Sequence, residues 1–125
     1  MKNMIYRIFI ILIFTSFMNQ TYAKENIMIL KLKDGDVVIE LFEDVAPNHV
    51  KRFKLLAKEK KYDGVVFHRV IDGFMAQTGD VQYGNSNSPN YDLRRAGTGG
   101  SDYPDLNAEF SNIPHERGTL SMARS

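Results

Sequence analysis

The sequence predicts a mainly β domain, built from antiparallel strands and covered at one opening by an amphipathic helix. Three observations support this prediction. Two apolar, strand-like segments are each followed by an Asp-Gly pair, at Asp34-Gly35 and at Asp72-Gly73, and by a second strand-like segment. Between them, after Pro47, the apolar residues recur at helical spacing. The predicted strands outnumber the helices, and the turns between them are tight.

Length and composition narrow the classes of function. The chain has 125 residues, enough for one domain, and its 43% hydrophobic and 25% charged residues are typical of a globular protein. A net charge of +1 provides no concentrated basic face for nucleic acid. Cysteine is absent, which excludes disulfides, thiolate nucleophiles and cysteine-ligated zinc.

Residues 1–23 have the layout of a secretory signal peptide. Two basic residues precede an almost wholly apolar run at 8–18, and a polar stretch then ends in the small residue Ala23. We expect cleavage after Ala23, which leaves a mature domain of residues 24–125 in the bacterial periplasm. The alternative is a membrane anchor, but the apolar run is well short of the roughly 20 residues that span hydrocarbon.

The mature chain is predicted to begin with a β-hairpin. Residues 26–33 form the first strand candidate, and residues 36–42 form the returning strand. Asp34-Gly35 is a strong two-residue turn signal, because both residues tolerate a positive φ.

An amphipathic helix is predicted to follow. Pro47 suits its first turn, where the missing N–H has no partner in any case. The apolar face consists of Val50, Phe53, Leu56 and Ala57. The spacing predicts roughly 13–15 residues, ended by Tyr62-Asp63-Gly64. Lysines occupy the other face, and nearby acidic residues favour a solvated surface over a membrane or nucleic-acid surface.

Strands and one long loop are predicted for the remainder. Residues 65–71 are β-branched and apolar, and residues 74–77 form a second short strand. Residues 81–105 are rich in Gly, Asn, Ser, Asp and Pro without any period, which is typical of a functional loop. Residues 118–123 are the last strand candidate. About five strands leave an open sheet edge, which is costly.

Several blocks resemble one known family. Residues 67–80, FHRVIDGFMAQTGD, resemble the signature of the cyclophilin-type peptidyl-prolyl cis-trans isomerases. Residues 97–100 resemble the glycine loop of that family, and residues 107–110 and 118–123 resemble its next two blocks. The resemblance implies a closed antiparallel β-barrel capped by helices. Because the sequence ends at Ser125, we expect this cyclophilin-like barrel to be incomplete at the C-terminus, poorly folded and of little activity.

The resemblance also implies the reaction, which is rotation about X–Pro bonds during protein folding and which needs no cofactor. The barrier is about 20 kcal/mol, because the C–N bond is partly double. Twisting the amide localises the lone pair on nitrogen, so a fixed cation that donates hydrogen bonds stabilises the twisted state. Arg69 is the catalytic candidate, since its guanidinium is always charged and holds several donors in fixed directions. The alternative is a surface arginine in an ion pair.

The resemblance implies further roles beside Arg69. The implied substrate-binding residues are His68, Phe74, Met75, Gln77 and Ala123. Phe74 and Met75 line a pocket for the proline ring. Gln77 binds a substrate carbonyl and orients Arg69, and Ala123 offers backbone groups to an extended peptide. Since no proton is transferred, His68 is interpreted as mainly structural.

The expected partners are proline-containing peptides and unfolded protein clients, with no nucleic acid and no stable membrane insertion after cleavage. The three histidines show no metal-ligand spacing, so no metal is expected. Two alternatives remain. One is a catalytically inactive, truncated remnant that at most binds proline-containing peptides. The other is an interaction module anchored in a membrane by residues 8–18.

Overall fold

A computed structural model describes residues 26–124 of the chain, and the predicted signal peptide lies outside them. The elements are β1 (Ile27–Leu32), β2 (Gly35–Glu40), α1 (Pro47–Lys58), β3 (Arg69–Ile71) and β4 (Met75–Gln77). The strands form two antiparallel hairpins, β1-β2 and β3-β4. The prediction of a mostly β domain with a helix between two hairpins is therefore confirmed for this part of the chain.

The first hairpin turns one residue earlier than predicted. Leu32 lies opposite Gly35, so Lys33 and Asp34 form the two-residue turn instead of Asp34 and Gly35. The positive φ, +143°, falls on Gly35 at the start of β2, where a glycine adopts it without a Cβ clash. The resulting register places Met28 opposite Ile39, and both side chains are half-buried.

Helix α1 supplies much of the buried apolar surface. Val50 and Leu56 are buried on the predicted apolar face, and Phe53 packs against Tyr62 with ring centroids 5.3 Å apart. Burial raises the pKa of Tyr62 to about 12, although the charge of the nearby Arg52 partly opposes the shift. The helix has 12 residues, slightly fewer than predicted, because the chain turns at Glu59 before reaching Tyr62.

Helix α1 is tied to the first hairpin by one lysine. The Lys54 ammonium donates to Asn26 Oδ1 at 3.1 Å and lies 3.5 Å from Glu43 Oε2. Asn26 in turn accepts, through its carbonyl, the N–H of the buried Leu41 at 2.7 Å. Lys54 lies on the predicted solvated face, so part of that face holds the fold together.

Two predicted strands differ from the structure. Of residues 65–71 only β3 is a strand, because it alone pairs with β4, while Val65 forms an isolated bridge with Asn85. The strand predicted at 118–123 is wrong. No strand lies beside it in the described residues, and Thr119 donates its N–H to the Glu116 carbonyl within a turn. A β-branched sequence forms a strand only where a partner accepts its backbone hydrogen bonds.

The two hairpins remain separate sheets within residues 26–124, so these residues do not form the closed barrel that the resemblance implied. Both hairpins expose apolar side chains, including Val38 and Val70. Residues 81–105 fold as a series of turns without a helix or a strand, as predicted. No helix in the described part of the chain is long and apolar enough to cross a membrane.

Candidate functional site

The second hairpin brings the predicted catalytic residue and two predicted binding residues onto one face. Arg69 on β3 lies directly opposite Gln77 on β4, and Ile71 lies opposite Met75. Residues directly opposite each other, and residues two apart on one strand, point to the same side of a sheet. The side chains of Arg69, Met75 and Gln77 therefore share one face of the hairpin.

The exposure of these side chains suits a surface that binds a ligand. Met75 and Gln77 are half-buried, whereas Arg69 is exposed. Within residues 26–124 no carboxylate lies within ion-pair distance of Arg69, which argues against the alternative of a surface ion pair. Phe74 was predicted to begin the strand of residues 74–77 but lies in the turn before it, where its N–H donates to the Ile71 carbonyl, and its side chain is 76% exposed.

His68 connects this hairpin to the glycine loop of residues 97–100. Its N–H donates to the Gln77 carbonyl at 3.1 Å, just beyond the end of the ladder. A Cβ at Gly97 would lie 2.5 Å from His68 Cδ2 and 2.7 Å from Nε2, so the backbone of Gly97 rests against the imidazole edge. His68 Nδ1 is buried and has no hydrogen-bond partner among the described residues.

A buried carboxylate organises the loop that contains Gly97. Asp80 is 4% exposed and accepts four backbone hydrogen bonds. The donors are Gln82 and Tyr83 on Oδ1, at 3.0 and 2.9 Å, and Gly97 and Gly99 on Oδ2, at 2.8 and 2.9 Å. Burial alone raises the pKa of Asp80, but the four N–H groups outweigh it and lower the pKa below its usual value.

Sequence reasoning assigned no role to Asp80, although it quoted the residue as the last of the signature block. An aspartate at the start of a Gly- and Asn-rich loop was the available signal, because such residues often accept backbone hydrogen bonds close by in the chain. The two bonds to Gly97 and Gly99, 17 and 19 residues away, have no local sequence signal.

Ala123 is not joined to the other predicted site residues in this structure. It is exposed and belongs to no strand within residues 26–124, and no backbone hydrogen bond links it to the β3-β4 hairpin. The neighbouring Arg124 guanidinium lies 5.4 Å from the centroid of the Phe110 ring. The substrate-binding role of Ala123 thus stays a prediction.

A second carboxylate that sequence reasoning missed holds the start of α1. Glu109 accepts hydrogen bonds from the N–H groups of Asn48 and His49 at 3.1 and 3.0 Å, and from Asn48 Nδ2 at 2.7 Å. His49 Nδ1 also lies 2.7 Å from it. Burial of Glu109 raises its pKa, but these contacts, those of His49 foremost, outweigh the burial and lower the pKa to about 2. This long-range cap attaches residues 107–110 to the helix.

Two clefts in the described residues lie away from the β3-β4 hairpin face. One cleft of about 260 Å³ lies beside Leu41 and Ile113, and another of about 240 Å³ lies between Leu56 and Tyr103. Neither is lined by a predicted site residue. Within the described residues no group of three His, Asp or Glu side chains could hold a metal ion. The chemistry available at the hairpin is therefore that of a cation and an amide beside an apolar surface.

Comparison with known proteins supports the family that the sequence blocks resemble. Residues 27–125 match the family described as cyclophilin type peptidyl-prolyl cis-trans isomerase/CLD. A "Probable peptidyl-prolyl cis-trans isomerase" of Brucella suis biovar 1 is 62% identical over 101 residues, 81% of this chain and 51% of the relative. The "Peptidyl-prolyl cis-trans isomerase B" of Escherichia coli is 36% identical over 91 residues, 73% of this chain and 49% of the relative.

The chain therefore belongs to the cyclophilin-type peptidyl-prolyl cis-trans isomerase family. The same is indicated by a "Peptidyl-prolyl cis-trans isomerase" of Synechococcus elongatus, 39% identical over 97 residues, which are 78% of this chain and 58% of that protein. The chain spans about half the length of the relatives that it matches. No solved structure matches it significantly.

Proposed function

We propose that the protein is a peptidyl-prolyl cis-trans isomerase that acts on proline-containing peptides and unfolded protein clients. The observation that supports this most directly is the β3-β4 register, which sets Arg69 opposite Gln77 with Met75 on the same face. These three side chains are among those that family membership implies for the reaction, and the pairing of β3 with β4 sets them on one face.

In the proposed mechanism the protein binds the twisted X–Pro bond more tightly than the planar one. The guanidinium of Arg69 donates a hydrogen bond to the prolyl nitrogen, whose lone pair localises as the amide twists. Arg69 is exposed, and no carboxylate of the described residues lies within ion-pair distance of it, so its donors are open to a substrate. No proton changes its position, so His68 serves the geometry of the site and not acid–base chemistry.

The neighbouring side chains hold the substrate in the proposed site. Met75 is half-buried, and Phe74 is exposed at the turn. In the proposed site each contributes apolar surface to the binding of the proline ring. Gln77 carries both a donor and an acceptor, so it can accept from Arg69 and donate to a substrate carbonyl. Ala123 is proposed to offer its backbone to the extended peptide.

The proposal also covers the fold of the protein and its location in the cell. We propose that both hairpins belong to one antiparallel barrel, because side chains such as Val38 and Val70 present the apolar surface that a barrel buries. We also propose that residues 1–23 direct export to the periplasm, on the basis of the basic, apolar and small-residue pattern of the sequence.

The test is a proline-isomerisation assay on the purified full chain with a short X–Pro peptide. The wild type is expected to accelerate exchange between the cis and trans forms, in contrast to the low activity that the sequence alone led us to expect. Arg69→Ala is expected to lower kcat/KM at least about 10²-fold, or roughly 2.7 kcal/mol of transition-state stabilisation. Arg94→Ala is the matched control, because Arg94 is an exposed loop arginine whose guanidinium pairs with the nearby Asp92. Unchanged exchange in the presence of the wild type would contradict the proposal.

A further inference from the structure

The carboxylate of Asp80 is buried without a cation. Within residues 26–124 no lysine or arginine lies within ion-pair distance of this carboxylate, and its hydrogen-bond donors there are four backbone N–H groups. Burying a charge is unfavourable unless hydrogen bonds compensate for it, and bonds to a charged acceptor are among the strongest. The four hydrogen bonds therefore compensate for the burial of the Asp80 charge and fix the loop backbone around the carboxylate.

The four bonds connect two stretches that are distant in the chain. Oδ1 binds the residues that directly follow, Gln82 and Tyr83, and Oδ2 binds Gly97 and Gly99 at the far end of the loop. A Cβ at Gly99 would lie 2.6 Å from Asp80 Oδ1, so the loop backbone is in direct contact with the carboxylate. Few apolar side chains of residues 81–105 are buried, so apolar packing contributes little to the conformation of this loop. The hydrogen bonds to Asp80 stabilise it instead.

The clamped loop end in turn contacts the proposed catalytic hairpin. The backbone of Gly97 packs against the imidazole edge of His68, and the backbone N–H of His68 donates to the carbonyl of Gln77, which lies opposite Arg69. If Gly97 moved away, the imidazole would gain room to change its rotamer directly beside Arg69. A continuous series of contacts therefore leads from Asp80 to the hairpin.

We propose that Asp80 is a positioning residue of the isomerase site, and that it acts by holding Gly97 against His68. It touches neither Arg69 nor the substrate face. Its effect on catalysis rests on the proposed function, but its effect on His68 does not. Removal of the Asp80 carboxylate should therefore misalign Arg69, with little change in substrate binding.

The decisive variant is Asp80→Asn. The amide is nearly isosteric with the carboxylate, but it has one acceptor oxygen instead of two and no charge. It must therefore release one of the two pairs of N–H groups, and its bonds to the other pair are weaker than those of the carboxylate. Asp92→Asn is the matched control. Asp92 lies in the same loop, and its carboxylate accepts from the N–H and Nε of Arg94, two residues away. The control changes the same charge without releasing the loop end.

The readouts on the purified full chain are the NMR signals of the His68 ring and of the Gly97 amide, and the kinetics of isomerisation. Asp80→Asn is expected to move both sets of signals and to lower kcat about tenfold with KM nearly unchanged. Asp92→Asn is expected to leave all of these as in the wild type. Unchanged His68 signals in Asp80→Asn, or equal effects of the two variants, would overturn the proposal.

Two further results keep the test decisive. If the wild type shows no isomerase activity, the proposed function fails, but the His68 signals still decide the role of Asp80. If Asp80→Asn does not fold, amide hydrogen exchange of the wild type decides it. The amides of Gly97 and Gly99 are expected to be protected like that of Tyr83, and exchange of the two glycine amides at the rate of an open chain would overturn the proposal.

Discussion

The contact between Gly97 and His68 leads to a sharp prediction for Gly97→Ala. The glycine has a φ of +96°, a conformation that L side chains rarely adopt. Its position also leaves no space for a methyl group, because a Cβ would lie 2.5 Å from His68 Cδ2. The variant is therefore disfavoured by its own backbone conformation and by its neighbour, and it must displace either the loop or the imidazole.

The size of the effect follows from these two causes. Holding a residue that carries a Cβ at a positive φ costs about 1–2 kcal/mol. Ordinary van der Waals contact begins near 3.4 Å, so the methyl group overlaps the ring by almost 1 Å, and relief of such overpacking costs about 1–3 kcal/mol. The sum of about 2–5 kcal/mol corresponds to a fall in Tm of at least about 8 °C for a domain of this size.

The assay compares thermal unfolding, followed by circular dichroism, of the wild type, Gly97→Ala and Gly100→Ala. Gly100 is the matched control, because it lies in the same glycine loop and a Cβ there would meet nothing within 4 Å. We expect Gly100→Ala to unfold close to the wild-type temperature, and Gly97→Ala to unfold earlier and to lose isomerase activity. Equal Tm values for the two variants would refute the close approach of Gly97 to His68.

Three further predictions concern the site, acid stability and processing. Gln77→Ala should lower kcat/KM about tenfold, since it removes one hydrogen bond to the substrate and the partner that orients Arg69; unchanged kinetics would contradict its role. Because the pKa of Glu109 falls from 4.5 to about 2 on folding, its stabilisation should be complete above about pH 4.5 and should disappear as the pH falls towards 2. The free energy of unfolding should therefore decline more steeply over that range in the wild type than in Glu109→Gln, and parallel curves would exclude this cap. The exported protein should begin at Lys24 by N-terminal sequencing, and a membrane-extracted product that retains residues 1–23 would contradict the signal peptide.

Local patterns were sufficient to predict the elements that form from neighbouring residues. The recurrence of Val50 and Leu56 after Pro47 predicted α1, because a helix makes its hydrogen bonds within four residues. The two Asp-Gly pairs predicted both hairpins for a similar reason. The resemblance in residues 67–80 identified the family and the residues that β3 and β4 place on one face.

Predictions that depended on a distant partner were less successful. Residues 118–123 have the composition of a strand but form none here, because a strand exists only through hydrogen bonds to another one. The first turn lies one residue from its predicted position, since Leu32 pairs with Gly35 and Gly35 therefore begins β2 instead of ending the turn. Both differences concern pairing, which the composition of one segment does not specify.

The sequence by itself determined the family of this protein, its helix and hairpins, and the candidate residues on β3 and β4. Only the tertiary structure decided which groups hold them in place. Asp80 meets Gly97 and Gly99, and Glu109 caps a helix that begins about 60 residues earlier. Backbone N–H groups are present in almost every residue and therefore leave no mark in a sequence. Their carboxylate partners become recognisable only when folding brings the two together.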